Sequence, residues 1–118
     1  MNLVIDIGNT SVKLHLFEND QKLESKTVME DDLISSLKLL DDENSIKNII
    51  TSSVTKNYRK ELSEIFKNSN LLDLSDDKIK LPFTNRYKDS SSLGQDRVAL
   101  ISSAYINYKN QNNLIIDL

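Results

Sequence analysis

The chain has 118 residues, of which 38% are hydrophobic, and this length suits one domain that can bury its own core. It contains no cysteine, so disulfides are excluded, and its formal net charge of −3 provides no basic surface of the kind that binds nucleic acid. No apolar run is long enough to span a bilayer and the N-terminus has no basic leader, so we expect a cytoplasmic protein without a membrane partner.

The first predicted element is a strand that carries a single charge. Residues 3–7 form a short apolar run that suits a buried strand, and Asp6 interrupts this run. Burying the carboxylate is unfavourable unless a cation or a polar ligand pairs with it. Residues 8–11 then combine a glycine with turn-forming Asn, Thr and Ser, so the chain can reverse tightly with backbone N–H groups and hydroxyls facing an anion.

The second predicted strand, residues 12–17, completes a hairpin. Its apolar side chains alternate onto one face, which leaves Lys13 and His15 on the other face. An ammonium group beside a turn of N–H donors favours a phosphate site. The candidate phosphate-binding residues are Asp6, Gly8, Asn9, Thr10, Ser11 and Lys13. An ordinary hairpin with solvated charges is the alternative, and the short motif alone leaves both interpretations open.

The following segments predict an alternation of strands and helices. Residues 23–28 complete a three-stranded meander after a turn at residues 18–20. Apolar residues at helical spacing follow an acidic start at residues 30–32, whose negative charge suits a helix N-terminus, and together they predict a packing helix. The next predicted elements are a strand within residues 46–54, an amphipathic helix over residues 56–67 and a short strand over residues 71–74.

The last part of the chain predicts a long loop, a helix and a strand. Residues 76–92 lack periodicity, and loops of this length in a compact domain are usually functional or disordered. A final helix is predicted over residues 95–109 and a terminal strand over residues 114–118. The helix is expected to present one apolar face, formed by Val98, Ile101, Tyr105 and Tyr108. The element order indicates an α/β fold with a mixed sheet, in which an antiparallel meander precedes alternating helices and strands.

A second group of chemically versatile residues lies where the long loop enters the last helix. Gly94 stands at this junction, where backbone amides can approach a ligand closely, and Asp96 and Arg97 follow at once. Asp96 fits a general base, and Arg97 fits a bidentate clamp for a carboxylate or phosphate. A helix-capping role is the alternative for Asp96.

Three segments of the chain resemble type III pantothenate kinases. They are the D-I-G-N-T-x-x-K start at residues 6–13, Tyr87 followed after six residues by G-Q-D-R at residues 94–97, and the closing Ile-Ile-Asp at residues 115–117. The first segment also resembles the D-x-G-x-T phosphate motif of the superfamily that contains acetate kinase, sugar kinases, actin and heat-shock chaperone ATPases. The resemblance covers the whole chain and implies a ribonuclease-H-like domain of the actin-like ATPase kind.

The resemblance also implies an activity and roles for individual residues. The family phosphorylates pantothenate with ATP, which is the first step of coenzyme A biosynthesis. By this resemblance Asp96 is the catalytic base on the pantothenate hydroxyl, and the residues that bind pantothenate are Tyr87, Gly94 and Arg97. The hairpin residues would face the triphosphate of ATP, with Asp6 orienting Mg²⁺ through water. Asp117 is the candidate ligand of a monovalent cation, K⁺ or NH₄⁺, and a simple strand-end charge is the alternative for it.

The chain also departs from the family pattern. Family members continue from the last strand into D-x-G-T-A-T-T and a second domain of similar fold, whereas this sequence ends at Leu118. We therefore expect a single domain, residues 1–118, that is the N-terminal half of a two-domain kinase, homodimeric at full length and inactive in isolation. The alternative is a non-catalytic, nucleotide-binding accessory transcription regulator of the same fold. The presence of Asp96 and Arg97 favours the enzyme.

Overall fold

The computed structural model describes residues 1–87 and 93–116, which form one mixed α/β unit. The strands are β1 (Asn2–Ile7), β2 (Val12–Glu18), β3 (Gln21–Val28), β4 (Asn48–Ser53) and β5 (Asn70–Asp73). The helices are α1 (Leu33–Glu43), preceded by one 3₁₀ turn, α2 (Arg59–Ile65) and α3 (Gln95–Asn107). None of the helices in the described ranges is long and apolar enough to cross a membrane.

The five strands form one sheet in the order β3-β2-β1-β4-β5. β1, β2 and β3 pair antiparallel as the predicted meander, and β4 and β5 continue the sheet in parallel with β1. The turn between β2 and β3 has only two residues, Asn19 and Asp20, with φ of 48° and 64°. Asparagine and aspartate tolerate this left-handed conformation, and such a turn matches the twist of the two strands. The predicted turn at residues 18–20 is confirmed.

One face of the sheet holds the hydrophobic core. Alternate side chains of β1, β2 and β4 point to this face, where α1 and α2 cover them. Leu33 and Leu37 of α1 are fully buried there, as are Leu62 of α2 and Phe66 just beyond its end. The helical spacing of the apolar residues therefore correctly predicted which side of each helix faces the sheet.

The opposite face of the sheet carries the polar positions of β1, β2 and β4. Helix α3 packs on this side against β4, and a cavity remains between the sheet and the helix. Because α1 and α2 cover one face and α3 the other, the sheet separates the hydrophobic core from the polar side chains that the sequence singles out.

Two predictions for the C-terminal part need correction. Val98 is buried and Ile101 half-buried, but Tyr105 and Tyr108 are 48% and 58% exposed, because α3 packs on the sheet mainly through its first half. Residues 114–116 form no strand, since no strand of the described sheet pairs with them, and Leu114 is 87% exposed. Residues 117 and 118, the end of the predicted strand, lie outside the described residues.

A cluster on the surface joins the start of α1 to the loop before α2. The Glu30 carboxylate accepts hydrogen bonds from the Lys56 ammonium and the Tyr58 hydroxyl. The hydrogen bond from Lys56, and after it the one from Tyr58, holds the pKa of Glu30 below its ordinary value. A carboxylate with a lowered folded-state pKa stabilises the fold above its unfolded-state pKa, and this contribution is lost as the pH falls through the folded-state pKa.

Tyr58→Phe is expected to lower the free energy of unfolding at pH 7 and to have less effect once the pH has fallen through the lowered pKa of Glu30, because the carboxylate is then protonated. The ring is kept, so the packing of Tyr58 against the core is preserved. Urea unfolding at a series of pH values measures the difference, with Tyr105→Phe as the matched control at an exposed tyrosine. An equal loss of stability across the whole acid series, with no decrease as the pH falls, would contradict the charge-linked role.

Candidate functional site

A cavity of about 380 Å³ lies between the polar face of the sheet and helix α3. Asp6 of β1 and Ser52 of β4 line it from the sheet, and Asp96 lines it from the first turn of α3. Its apolar lining includes Val4 and Ile50 on the sheet, together with residues of α3 further along the helix. The cavity therefore has two carboxylates, two serine hydroxyls and one imidazole set against apolar walls.

Strand register places three polar side chains in a row across the sheet. Asp6 is the direct partner of Lys13 in the antiparallel β1–β2 pair and of Ser52 in the parallel β1–β4 pair. Partners in register point to the same face, which here is the face toward α3. We call Lys13, Asp6 and Ser52 the polar row. The ion pairs recorded for the described residues do not involve Lys13, which is exposed at one end of the row.

The hairpin turn closes next to the polar row. The Gly8 N–H donates to the Ser11 carbonyl oxygen at 3.1 Å, so this donor is used within the turn itself. A Cβ at Gly8 would lie 3.2 Å from the same carbonyl oxygen, which leaves little room for a side chain. Asn9 and Thr10 are exposed at the tip. The backbone thus turns sharply directly after Asp6 and presents small polar residues beside it.

The N-terminus of α3 is held against the sheet by one side chain. The backbone N–H of Ser53, at the end of β4, donates to the Gln95 side-chain oxygen at 3.0 Å. Because Gln95 is the first residue of α3, this bond positions the first turn of the helix beside the ends of β1 and β4. Asp96 follows Gln95 and is brought to the cavity by the same contact.

Gly94 and Asp96 fit together closely. Gly94 is the N-cap residue of α3, and a Cβ placed on it would collide with Oδ1 of Asp96. The same oxygen accepts a hydrogen bond from the Arg97 N–H at 2.8 Å. An ionised carboxylate in the first turn of a helix is also favoured by the helix dipole. The glycine therefore leaves room for the Asp96 carboxylate in this orientation, whereas its φ of −56° is one that any residue can adopt.

Comparison with known proteins identifies the family. The sequence model of type III pantothenate kinase matches residues 2–118. The chain belongs to this family. It is similar to the type III pantothenate kinase of Christiangramia forsetii, with 39% identity over 118 residues that cover 99% of this chain and 48% of that protein.

Two further relatives named type III pantothenate kinase, from Flavobacterium psychrophilum and Bacteroides fragilis, are 33% and 28% identical with the same coverage. The chain spans about half the length of these curated relatives of the type III pantothenate kinase family. The family predicted from the three sequence segments is confirmed.

The structure brings together only some of the residues that the family resemblance singles out. Asp6 and Asp96 share the cavity, and Lys13 stands beside Asp6 in the polar row. Arg97 is exposed, and Tyr87 is 59% exposed with its N–H donating to the Asn85 side chain at 2.9 Å. Neither lines the cavity as described, so their contacts with pantothenate stay a prediction. Asp117 lies outside the described residues.

Three residues of the site went unassigned in the sequence. Ser52 follows a β-prone stretch. The alternation of side chains between the two faces of that strand is the signal that could have placed Ser52 on the same face as Asp6. The sequence did not predict the contact between Gln95 and Ser53, because this contact depends on the approach of α3 to β4. His15 lines the cavity, and its Nδ1 shares a hydrogen bond with the Ser25 hydroxyl at 2.8 Å, the direction of which depends on the tautomer.

The donor set fits the Mg²⁺ ion that the pantothenate kinase family implies. Mg²⁺ prefers oxygen ligands and commonly binds through one or two carboxylates, several waters and the phosphates of the substrate. Within residues 1–87 and 93–116, no cluster of three or more His, Cys, Asp or Glu side chains could hold a metal alone. Asp6 supplies one carboxylate at the cavity, which suits an ion held mainly by nucleotide and water.

Proposed function

We propose that the chain is the first domain of a kinase that transfers the γ-phosphoryl group of ATP to pantothenate, giving 4′-phosphopantothenate. The observation that supports this most strongly is the shared cavity of Asp6 and Asp96. The Asp6 carboxylate lies beside the hairpin turn and Lys13, and the Asp96 carboxylate lies across the cavity at the start of α3. A phosphoryl donor bound on the sheet side and an alcohol bound on the helix side would meet between these two carboxylates.

Different residues of this chain would bind the phosphates and accept the proton during phosphoryl transfer. Lys13 and the small turn residues would bind the phosphates, since an ammonium group and N–H donors neutralise their charge. Bound Mg²⁺, oriented by Asp6, would supply further neutralisation of the charge on the phosphates. Asp96 would accept the proton of the pantothenate hydroxyl as it attacks, and the apolar walls would reduce access of water to the reacting groups.

We further propose a ribonuclease-H-like domain of the actin-like ATPase kind. The order of a three-stranded meander followed by α1, β4, α2, β5 and α3 supports this, as does membership in the family. A second domain, in a homodimer at full length, would complete the nucleotide cleft, and Asp117 would bind a monovalent cation, K⁺ or NH₄⁺. Since ATP is supplied in the cytoplasm, we place the reaction there.

The direct test is formation of 4′-phosphopantothenate from ATP and pantothenate by the intact protein, meaning the polypeptide as its gene encodes it. We expect Mg²⁺-dependent product. A protein that binds nucleotide yet makes no product would favour the accessory regulator.

Lys13→Ala in the intact protein is expected to raise KM for ATP by roughly 10- to 100-fold, because a charge-assisted contact to phosphate is lost. The KM for pantothenate is expected to change by less than about threefold, since Lys13 lies on β2 beside Asp6 and not among the residues that line the cavity. Steady-state kinetics with each substrate varied measures both values, with Lys22→Ala, an exposed lysine on β3, as the control. Unchanged turnover and KM for ATP would remove Lys13 from the phosphate site.

A further inference from the structure

Ser52 is a buried hydroxyl for which the fold itself provides no partner. The residue is 8% exposed, and its Oγ is the one fully buried side-chain polar atom among the described residues that makes no hydrogen bond within the chain. Leaving a hydroxyl unpaired in the interior is unfavourable, so such groups call for an explanation.

The neighbouring serine shows that the local backbone can satisfy a hydroxyl at this end of β4. Ser53 Oγ donates to the Lys56 carbonyl oxygen at 2.6 Å and accepts from the Thr55 N–H at 3.3 Å. Ser53 therefore has a structural role in the turn after β4. Ser52 lies on the other side of the strand, among the residues that line the cavity, and has no comparable role.

The surroundings of Ser52 indicate what its hydroxyl would bind. Asp6 lies in register beside it, and Asp96 lines the same cavity from α3. Ionised carboxylates only accept hydrogen bonds, whereas a serine hydroxyl can also donate one. Ser52 is therefore a neutral donor at a site with two acceptors, and it suits a ligand oxygen that itself carries negative charge.

We propose that the Ser52 hydroxyl donates a hydrogen bond to a phosphoryl oxygen of the bound nucleotide. In this proposal the phosphate groups lie along the polar row, which runs from Lys13 on β2 through Asp6 on β1 to Ser52 on β4. Asp96 takes the hydroxyl proton of the acceptor, so the acceptor alcohol lies on the helix side and the phosphoryl group lies nearer to Ser52. The identity of the nucleotide as the kinase's phosphoryl donor rests on the proposed function.

The test compares Ser52→Ala with Ser53→Ala in the intact protein. Calorimetry with Mg²⁺ measures the affinity for ADP, for a non-hydrolysable β,γ-imido analogue of ATP and for pantothenate, and thermal unfolding without ligand measures stability. Ser52→Ala is expected to bind the ATP analogue about 10- to 100-fold more weakly, without a lower melting temperature, and to bind pantothenate within about twofold of the wild type. Ser53→Ala is expected to melt at a lower temperature and to keep its affinity for the analogue.

Comparing the affinities for ADP and for the ATP analogue shows which phosphoryl group accepts the hydrogen bond from Ser52. A loss for the analogue alone places it at the γ-phosphoryl group, and an equal loss for ADP places it at the β-phosphoryl group. Ser52→Thr keeps the hydroxyl on a strand that accepts a β-branched residue, so it is expected to recover most of the lost affinity.

Two results would overturn the proposal. One is an unchanged nucleotide affinity of Ser52→Ala, whatever its melting temperature; a lower melting temperature beside it would show a structural role. The other is a loss of affinity for pantothenate alone. Failure of the proposed function is a separate result: a wild-type protein that forms no 4′-phosphopantothenate, yet binds the analogue in a Ser52-dependent way, refutes the reaction and keeps the inference.

Discussion

Replacing Asp96 by asparagine in the intact protein is expected to lower the turnover number for pantothenate phosphorylation by about two to four orders of magnitude. The substitution preserves size and removes only basicity, so the variant cannot accept the proton of the attacking hydroxyl. The fold and the affinity for both substrates are expected to change little, because asparagine fits the first turn of α3 about as well. Steady-state and single-turnover kinetics, with calorimetry for each substrate, separate the chemical step from binding.

The alternative role of Asp96 makes the opposite prediction. Asn caps a helix about as well as Asp, so a purely structural carboxylate would leave activity intact. Asp41→Asn, at an exposed position of α1, is the matched control for the loss of one negative charge, and it is expected to retain full turnover. Product formation by Asp96→Asn at nearly the wild-type rate would refute its assignment as the general base.

Leu37→Ala is expected to lower the free energy of unfolding of the 118-residue chain by about 2–5 kcal/mol. The Leu37 side chain belongs to the hydrophobic core beneath α1 and is 0% exposed. Shortening it to alanine therefore removes apolar contacts and leaves a cavity beneath the helix. Guanidinium unfolding followed by circular dichroism measures the loss. A change of this size is a large fraction of the stability of a domain of this length.

Leu39→Ala is the matched control on the same helix. Leu39 is 51% exposed, and alanine is a better helix former, so its effect is expected to stay within about 0.5 kcal/mol. Equal losses for the two variants would mean that α1 does not pack on the sheet in the orientation described.

The sequence predicted the fold well wherever apolar periodicity and turn chemistry agreed. Alternation in β1 and β2 identified the strands and the faces of the hairpin, and the acidic residues before Leu33 marked the start of α1. Element ends were less accurate. Helix α2 begins at Arg59 and not at residue 56. The Ser53 hydroxyl donates to the Lys56 carbonyl oxygen, and the Asn57 side-chain oxygen accepts from the N–H of Arg59, so these bonds hold residues 56–57 in the loop before the helix. Such competition between side chain and backbone is invisible to a hydrophobic pattern.

The sequence indicates which charged residues to consider for the candidate site, but it does not show the tertiary contacts that bring them together. Asp6, Lys13 and Asp96 carry chemistry that a motif can reveal, since each is a charged residue beside a turn or a helix start. That Asp6 and Asp96, ninety positions apart, would face one cavity depends on α3 crossing the end of β4, a tertiary contact fixed partly by Gln95. Similarly, the exposure of Tyr105 and Tyr108 follows from how far α3 extends beyond the sheet, which its own periodicity does not specify.

The close contact between Gly94 and Asp96 bears on how this site can evolve. Surface loops normally accept new side chains freely, and a small residue at a helix start is usually among the easiest to exchange. Here every other amino acid would bring a Cβ into collision with Oδ1 of Asp96, so this carboxylate oxygen would have to shift. The identity of residue 94 therefore affects where the Asp96 carboxylate can lie. A sequence that changed Gly94 would have to accommodate a displaced carboxylate.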